Sequence, residues 1–178
     1  MSPADFKMGD LVDFVRESLA RNDVPGDRLC IEITEYAVVD DPVATVKILE
    51  EFRAMGVEIA LDDFGTGFAS MTELKSLPVD FLKLDMSFVR GIARDPSDRA
   101  IVEAIIRLGR ALGKEVIAEG VESPIIVDEL LELGCHRGQG YLISRPVPSM
   151  DLDTLLLAGA TDESLLRVGA REIEDASW

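Results

Sequence analysis

Apolar residues recur along the chain in two alternating patterns. Short apolar runs, many of them β-branched, are separated by stretches in which apolar residues return every three or four positions. Runs of the first kind predict buried parallel strands, and stretches of the second kind predict amphipathic helices. Strands are predicted over residues 29–34, 57–62, 81–85 and 115–119, with a weaker pair within 135–144.

Capping residues support the helices that the periodicity predicts. Asp41 stands before Pro42, which is the order expected when a carboxylate caps a helix that opens on proline. Glycine at the far end of such a stretch is typical of a helix C-terminus. Helices are predicted between Leu11 and Leu19, from Pro42 to Gly56, from near Ser97 or Asp98 to Gly113, and from Pro124 to Gly134.

The alternation of strand and helix predicts an α/β fold with five or six parallel βα units. Without a glycine-rich dinucleotide motif, these units fit a doubly wound sheet or part of an eight-stranded barrel. A complete barrel takes roughly 250 residues, so a chain of 178 residues is short by about two units. We expect one domain over residues 1–160 and a polar C-terminal extension over 161–178.

Charge and composition narrow the function classes. The chain carries 34 acidic and 18 basic residues, a formal charge of −16, which disfavours binding to nucleic-acid polymers. This charge fits a solvated acidic surface, and it also fits a carboxylate cluster that requires divalent cations. No apolar run approaches the roughly 20 residues of a membrane span, and no secretory signal is visible, so we expect a cytoplasmic location. The widely spaced Cys30 and Cys135 are interpreted as buried strand thiols.

Polar residues accumulate where the predicted strands end. In a parallel barrel all of these ends point to one face, where barrel enzymes build their sites. Many carboxylates in one cleft require cations, and hard oxygen ligands favour Mg²⁺ or Mn²⁺ over Zn²⁺. The candidate site residues are Glu32, Glu35, Asp62, Asp63, Lys83, Asp85, Glu119, Glu122 and Gln139.

Adjacent carboxylates at Asp62 and Asp63 are suited to ligate two neighbouring metals, an arrangement used to hydrolyse phosphodiesters. The simpler alternative is that one of them caps the following helix. Lys83 shares one side of its strand with Asp85 and faces the site, where it holds a water or a phosphate oxygen or forms a structural ion pair. Glu119 is the candidate general base if it is not itself a ligand.

Two further features give weaker signals. The stretch Phe64-Gly65-Thr66-Gly67 resembles a phosphate cradle, although a lone Gly-x-Gly more often marks a tight turn. His136, the single histidine, supports neither a catalytic triad nor a zinc cluster, and we interpret it as a surface or strand-end residue.

Five segments in order resemble the EAL domain family, from about Ser2 to Leu157. They are Glu32-Ile33-Thr34-Glu35, Asp62-Asp63-Phe64-Gly65-Thr66-Gly67, Lys83-Leu84-Asp85, Ala118-Glu119-Gly120-Val121-Glu122 and Gln139-Gly140-Tyr141. The resemblance implies a TIM-type barrel and a phosphodiesterase that acts in signal transduction. Such an enzyme opens the bacterial second messenger cyclic di-GMP to pGpG and uses two Mg²⁺ or Mn²⁺ ions.

The resemblance also implies roles for individual residues. Glu32 and Asp62 would ligate one metal, and Asp62 and Asp63 would reach the second. The catalytic group would be Lys83 and Asp85, which position the attacking water, and Glu119, which assists its activation. Glu122 and Gln139 would complete the polar rim, and Glu35 would anchor the loop from Asp63 to Ser70, which the family couples to dimerisation.

The chain departs from the family pattern at its start. It opens Met1-Ser2-Pro3, without the first-strand Glu-x-Leu signature, its following arginine and the second-strand Asn. We therefore expect an incomplete barrel whose first strands are missing, a weakened or absent metal site, and association through open sheet edges, for example as a homodimer.

Two functions from different classes follow. The first is a cyclic di-GMP phosphodiesterase with impaired turnover in this chain, and the second is a non-catalytic regulatory module that binds cyclic di-GMP or a protein partner. A metal-dependent aldolase of the α/β class is a weaker third candidate.

Overall fold

The computed structural model describes residues 10–65, 71–148 and 150–154. Its framework is one sheet of five parallel strands, which lie side by side in the order of the sequence. Each strand joins the next through a helical connection, as the βα pattern predicts. The strands are β1 Cys30–Thr34, β2 Glu58–Phe64, β3 Phe81–Leu84, β4 Glu115–Glu119 and β5 Arg137–Gln139.

Seven α-helices lie in the part of the chain that the structure describes. The longest has 16 residues and connects β3 to β4, as the sequence predicts. A membrane span would need a longer and more apolar helix than any found in the described residues. The helices are α1 Leu11–Asn22, α2 Glu35–Asp40, α3 Pro42–Ala54, α4 Met71–Ser76, α5 Met86–Val89, α6 Pro96–Ala111 and α7 Pro124–Glu132, with a short 3₁₀ helix at Gly26–Arg28.

Side-chain caps determine where two of these helices begin. Asp41 accepts a hydrogen bond from the Ala44 amide at 3.1 Å, which confirms the predicted start of α3 at Pro42. At α6 the capping residue is Asp95, whose carboxylate accepts from the Ser97 amide at 2.8 Å. Because this cap and Pro96 together satisfy the first turn, α6 begins slightly before the predicted position.

The core lies mainly around the central strands. All four residues of β3 are buried, so this strand is covered on both faces, as expected for a parallel sheet. On β1, burial alternates, with Ile31 and Ile33 inside the core and Cys30 and Glu32 exposed. The predicted burial on both faces therefore fits the central strand β3 better than β1. Within the described residues, β1 pairs on one side only.

Three predictions differ from the structure or fall outside it. The prediction that Cys30 is buried is wrong, because Cys30 opens β1 on its exposed face; Cys135 is buried as expected. Of the two strands predicted within 135–144, the structure has one of three residues, followed by a turn at residues 141–143. The extension predicted over residues 161–178 lies outside the described residues.

Gly109 sets how closely α6 approaches the sheet. A Cβ added at this position would lie 2.7 Å from a methyl group of Val116 on β4 and 3.1 Å from the Lys114 carbonyl oxygen. Val116 is itself buried, so it has little room to move. The glycine therefore serves close packing between α6 and β4, at the cost of helix propensity.

We predict that Gly109→Ala lowers the free energy of unfolding by about 1–3 kcal/mol, because overpacking outweighs the gain in helix propensity. Chemical denaturation monitored by circular dichroism measures this change. The matched comparison is Gly109→Ala in a Val116→Ala background, where the methyl group is absent and the cost should shrink. An equal cost in both backgrounds would contradict this account of the packing.

Candidate functional site

The predicted strand-end residues converge at the carboxyl ends of neighbouring strands. Thr34 pairs with Asp62 between β1 and β2, and Glu119 pairs with Gln139 between β4 and β5. Because side chains alternate along a strand, residues at matched register positions share one face of the sheet. The residues that contact one another at this end are Glu32, Asp62, Lys83, Glu119 and Gln139.

Lys83 occupies the centre of this group. Its Nζ lies 2.8 Å from Glu32 Oε2, 2.8 Å from Asp62 Oδ1 and 2.6 Å from Glu119 Oε1, and its side chain is 4% exposed. Burial by itself would lower the pKa of Lys83, but hydrogen bonds to the carboxylates of Asp62, Glu119 and Glu32 outweigh burial and raise it. Lys83 is therefore a fixed positive charge among three carboxylates.

Gln139 orients one of these carboxylates. Its side-chain amide donates a hydrogen bond to Glu119 Oε1 at 2.8 Å, the same oxygen that the Lys83 ammonium contacts. Two donors on one oxygen restrict the rotation of the carboxylate. The other oxygen of Glu119 is then directed away from these two donors.

Asp62 and Asp63 reach the same end of the sheet although they are adjacent in sequence. Neighbouring residues of a regular strand point to opposite faces, but the β2–β3 register shifts between Leu61 and Phe64, and Asp63 has a φ of 55°. This left-handed residue turns its carboxylate back toward the site. One ligand atom each from Asp62, Asp63 and Glu119 lies within 4.8 Å of the other two, which is close enough for shared contact with a cation.

Negative charge accumulates at the cluster of Asp62, Asp63 and Glu119. Burial raises the pKa of Asp63, and the nearby negative charges of Asp62 and Asp85 raise it further. Such a shift means that the carboxylates repel one another more strongly than Lys83 compensates. Oxygen ligands of this kind suit a hard divalent cation, so the donor set fits the metal that the sequence predicts.

The remaining predicted residues lie around this cluster with contacts of their own. Asp85 caps α5, where its Oδ1 accepts from the Ser87 amide at 2.9 Å. Glu122 pairs with Arg90 at 2.7 Å. Glu35 is the first residue of α2 and is 5% exposed, and residues 66–70 of the loop that it is predicted to anchor lie outside the described part of the chain. The glycine-rich stretch can be followed only to Gly65, whose φ of +100° is typical of a turn.

A cavity of about 610 Å³ opens beside Glu119 and contains residues that the sequence analysis did not select. Arg90 and Tyr141 line it, and the guanidinium of Arg145 lies 4.5 Å from the centre of the Tyr141 ring. Cations and an aromatic ring beside an acidic cluster suit a ligand that carries both a base and a phosphate. Tyr141 is the last residue of the Gln139-Gly140-Tyr141 segment. No local sequence pattern marks Arg90 or Arg145, because only the fold places them in the same cavity.

Comparison with known proteins identifies a family match over most of the chain. The model of the family described as EAL domain matches residues 1–146. One curated relative is the bifunctional diguanylate cyclase/cyclic di-GMP phosphodiesterase MucR of Pseudomonas aeruginosa, 43% identical over 152 residues, which are 85% of this chain and 22% of that protein. The chain thus spans about a fifth of the length of this relative.

Solved structures show the same relationship. The chain resembles the PaMucR phosphodiesterase in complex with c-di-GMP, with a TM-score of 0.81, 43% identity, and coverage of 85% of this chain and 62% of that chain. It also resembles the EAL domain of Mycobacterium smegmatis DcpA, with a TM-score of 0.84, 41% identity and coverage of 89% and 71%. A manganese/cy-diGMP complex of Klebsiella pneumoniae BlrP1 matches with a TM-score of 0.73, 33% identity and coverage of 80% and 36%.

We predict that Lys83→Met destabilises the metal-free protein by about 2–4 kcal/mol, because it leaves the carboxylates of Glu32, Asp62 and Glu119 without their shared cation. Thermal and urea denaturation measure the change. Millimolar Mn²⁺ should recover part of the loss, since an added cation replaces the missing charge.

The matched control is Lys75→Met, which removes an exposed lysine from the last turn of α4 and should change stability by less than about 0.5 kcal/mol. Equal effects of the two substitutions, or no response of Lys83→Met to Mn²⁺, would contradict the role of Lys83 as the shared cation.

Proposed function

The chain belongs to the EAL domain family, and from this membership we propose that it acts as a cyclic di-GMP phosphodiesterase module. The observation that carries the proposal is the cluster of Asp62, Asp63 and Glu119, whose ligand atoms lie within 4.8 Å of one another at the carboxyl ends of the strands. The Lys83 ammonium contacts Asp62 and Glu119 of this cluster. The relative MucR is described as a cyclic di-GMP phosphodiesterase, and similar solved structures contain this ligand. Its substrate would be the cyclic dinucleotide, which is a phosphodiester.

The metal ligands that we propose are Glu32, Asp62 and Asp63, with Mg²⁺ or Mn²⁺ as the ion. Their carboxylate oxygens suit such ions, and the raised pKa of Asp63, caused by burial and by neighbouring acids, supports a site that gains stability from added positive charge. When bound, divalent ions polarise a phosphodiester and make water a better nucleophile at neutral pH. The position of Glu119 in the same cluster makes it a candidate ligand as the alternative to its role as general base.

The reaction that we propose is attack of water on one phosphorus of the ring. A new P–O bond forms as the bond to the ribose 3′ oxygen breaks. That oxygen takes up a proton from solvent, and the product is the linear dinucleotide pGpG. Glu119 takes a proton from the water, and Gln139 holds Glu119 in place through the 2.8 Å hydrogen bond. Lys83 and Asp85 position the water, and the charge of Lys83 also offsets the negative charge of the substrate.

The cavity beside Glu119 is the proposed place for the rest of the substrate. At the wall of this cavity, Glu122 holds the guanidinium of Arg90 through a 2.7 Å ion pair. Arg145 and Tyr141 offer a flat cation and a ring face on which a nucleobase can stack. Substrate binding and water activation would thus use adjacent parts of one rim.

We predict that the purified chain with Mn²⁺ forms pGpG and that Asp62→Asn lowers the rate at least a hundredfold, because a cluster ligand and a Lys83 partner loses its charge. Chromatography of the products measures both rates, and Mn²⁺ titration followed by electron paramagnetic resonance measures metal binding. The control is Asp128→Asn, an exposed acid on α7, which should leave both unchanged.

Saturable binding of cyclic di-GMP without any product would overturn the phosphodiesterase proposal for this chain and would support the regulatory module instead. The same measurement tests the expectation of impaired turnover. The cytoplasmic location stays a prediction from sequence.

We also propose that the chain self-associates, for example as a homodimer, through its sheet edges. Within the described residues, β1 and β5 each pair with a single neighbouring strand, and such edges are templates for association. Beside β1, an apolar groove includes Phe14 of α1, which is 67% exposed. This exposed surface adds an apolar contribution to any contact at that edge.

We predict a concentration-dependent mass above that of the monomer in light scattering, and a weaker association for Phe14→Glu. Val43→Glu is the control, because Val43 is equally apolar and more exposed but lies on α3 rather than in the groove. A stable, non-aggregating monomer at all concentrations would contradict the proposal.

A further inference from the structure

A second cavity, of about 370 Å³, lies at the opposite end of the sheet from the carboxylate cluster. It is formed where β4 and β5 begin and beside the last turn of α6. Glu115 lines it and Glu119 belongs to the cluster, so the two sites lie four residues apart on β4, which is about 13 Å along a strand. This cavity therefore forms no part of the site described above.

Basic and ionisable side chains dominate this cavity. Arg110, Lys114, His136 and Arg137 line it, against a single acid, Glu115. Acidic residues outnumber basic ones by 34 to 18 in the chain, so composition alone would predict an excess of acids there. The end of α6 and the start of β5 contribute this positive charge, so the fold brings together basic residues that are distant in sequence.

Arg110 brings an uncompensated charge to the cavity. Among the described residues no carboxylate lies within ion-pair distance of it, whereas Arg107 on the same helix pairs with Glu103 at 2.6 Å. Its guanidinium lies over Gly134, where a Cβ would come within 2.7 Å of Nη2. A cation at a helix C-terminus complements the helix dipole, but this effect accounts for Arg110 alone and not for His136 and Arg137 at the start of β5.

Lys114 also lines the cavity, but its ammonium is bound to carbonyl groups outside the lining. Its Nζ donates to the carbonyl oxygens of Leu77 at 2.8 Å and Val79 at 3.0 Å, so one of its three N–H groups is left over. Burial lowers the pKa of Lys114, and the more distant charge of Asp80 opposes this shift only in part.

Arg137 is held in place at the cavity wall. Its Nε lies 2.5 Å from Glu115 Oε2, and its guanidinium lies 5.1 Å from the centre of the Phe81 ring. The ion pair uses one edge of the guanidinium, and the stacking on the ring fixes its plane. The remaining N–H groups are available to an acceptor without a large loss of side-chain entropy.

We propose that this cavity binds a small anion of the phosphate class, through Arg110, His136 and Arg137. Inorganic phosphate, pyrophosphate and the phosphate group of a nucleotide share this chemistry. The apolar wall formed by Ile106 and Val116 gives the cavity an additional surface that a nucleoside could contact. Binding here would be independent of the proposed phosphodiesterase activity, because none of these residues belongs to the carboxylate cluster.

The test is calorimetric titration of the metal-free chain with phosphate, pyrophosphate and guanosine monophosphate at constant ionic strength. We expect saturable binding, at least fivefold weaker for Arg110→Gln, and unchanged for Arg107→Gln, an exposed arginine one turn earlier on α6. Chloride at the same ionic strength should not compete. Amide NMR shifts should fall on Gly134, His136 and their neighbours.

No saturable binding, equal affinity of the two arginine variants, or shifts at Asp62 and Glu119 instead would overturn the proposal. His136→Gln provides a second variant if Arg110→Gln does not fold. A higher affinity for the nucleotide than for inorganic phosphate would identify a nucleotide as the source of the anion, and equal affinities would identify free phosphate.

Discussion

The contact of the Lys83 ammonium with three carboxylates is the interaction on which the site depends. Glu32, Asp62 and Glu119 come from three different strands, and each would repel the others in a partly buried rim without a cation between them. One lysine provides that cation because β3 is the central strand of the sheet. The raised pKa of Asp63 reflects burial and the negative charges of Asp62 and Asp85, which Lys83 only partly offsets.

The position of Lys83 depends in turn on how the helices pack behind the sheet. β3 is buried on both faces, and Gly109 lets α6 lie close against β4 beside it. A lysine two residues out of place along β3 would still share the same face, but it would miss the strand ends where the acids lie. Close packing therefore fixes the depth of the ammonium as well as the stability of the sheet.

The sequence allowed the parallel βα units and the polar rim to be predicted, because both follow from periodicity and from the common direction of parallel strands. It did not reveal that Asp63 adopts a left-handed backbone, which is a local response to the register shift between β2 and β3. It also overestimated the burial of Cys30, since a strand pattern does not show which strand lies at an edge. That Arg110 and Arg137 line one cavity could not be predicted, because 27 positions separate them and only the fold places them there.

The cavity of basic residues and the carboxylate cluster lie at opposite ends of the sheet, and the strands keep them apart. Glu115, Ile117 and Glu119 share one face of β4, so an apolar residue separates the cavity of basic residues from the carboxylate cluster. Exposed charges farther apart than about 8–10 Å are largely screened at physiological ionic strength, so an anion at one end adds little field at the other. If the anion changes the rim at all, it must do so through packing, and β4 is the element that contacts both.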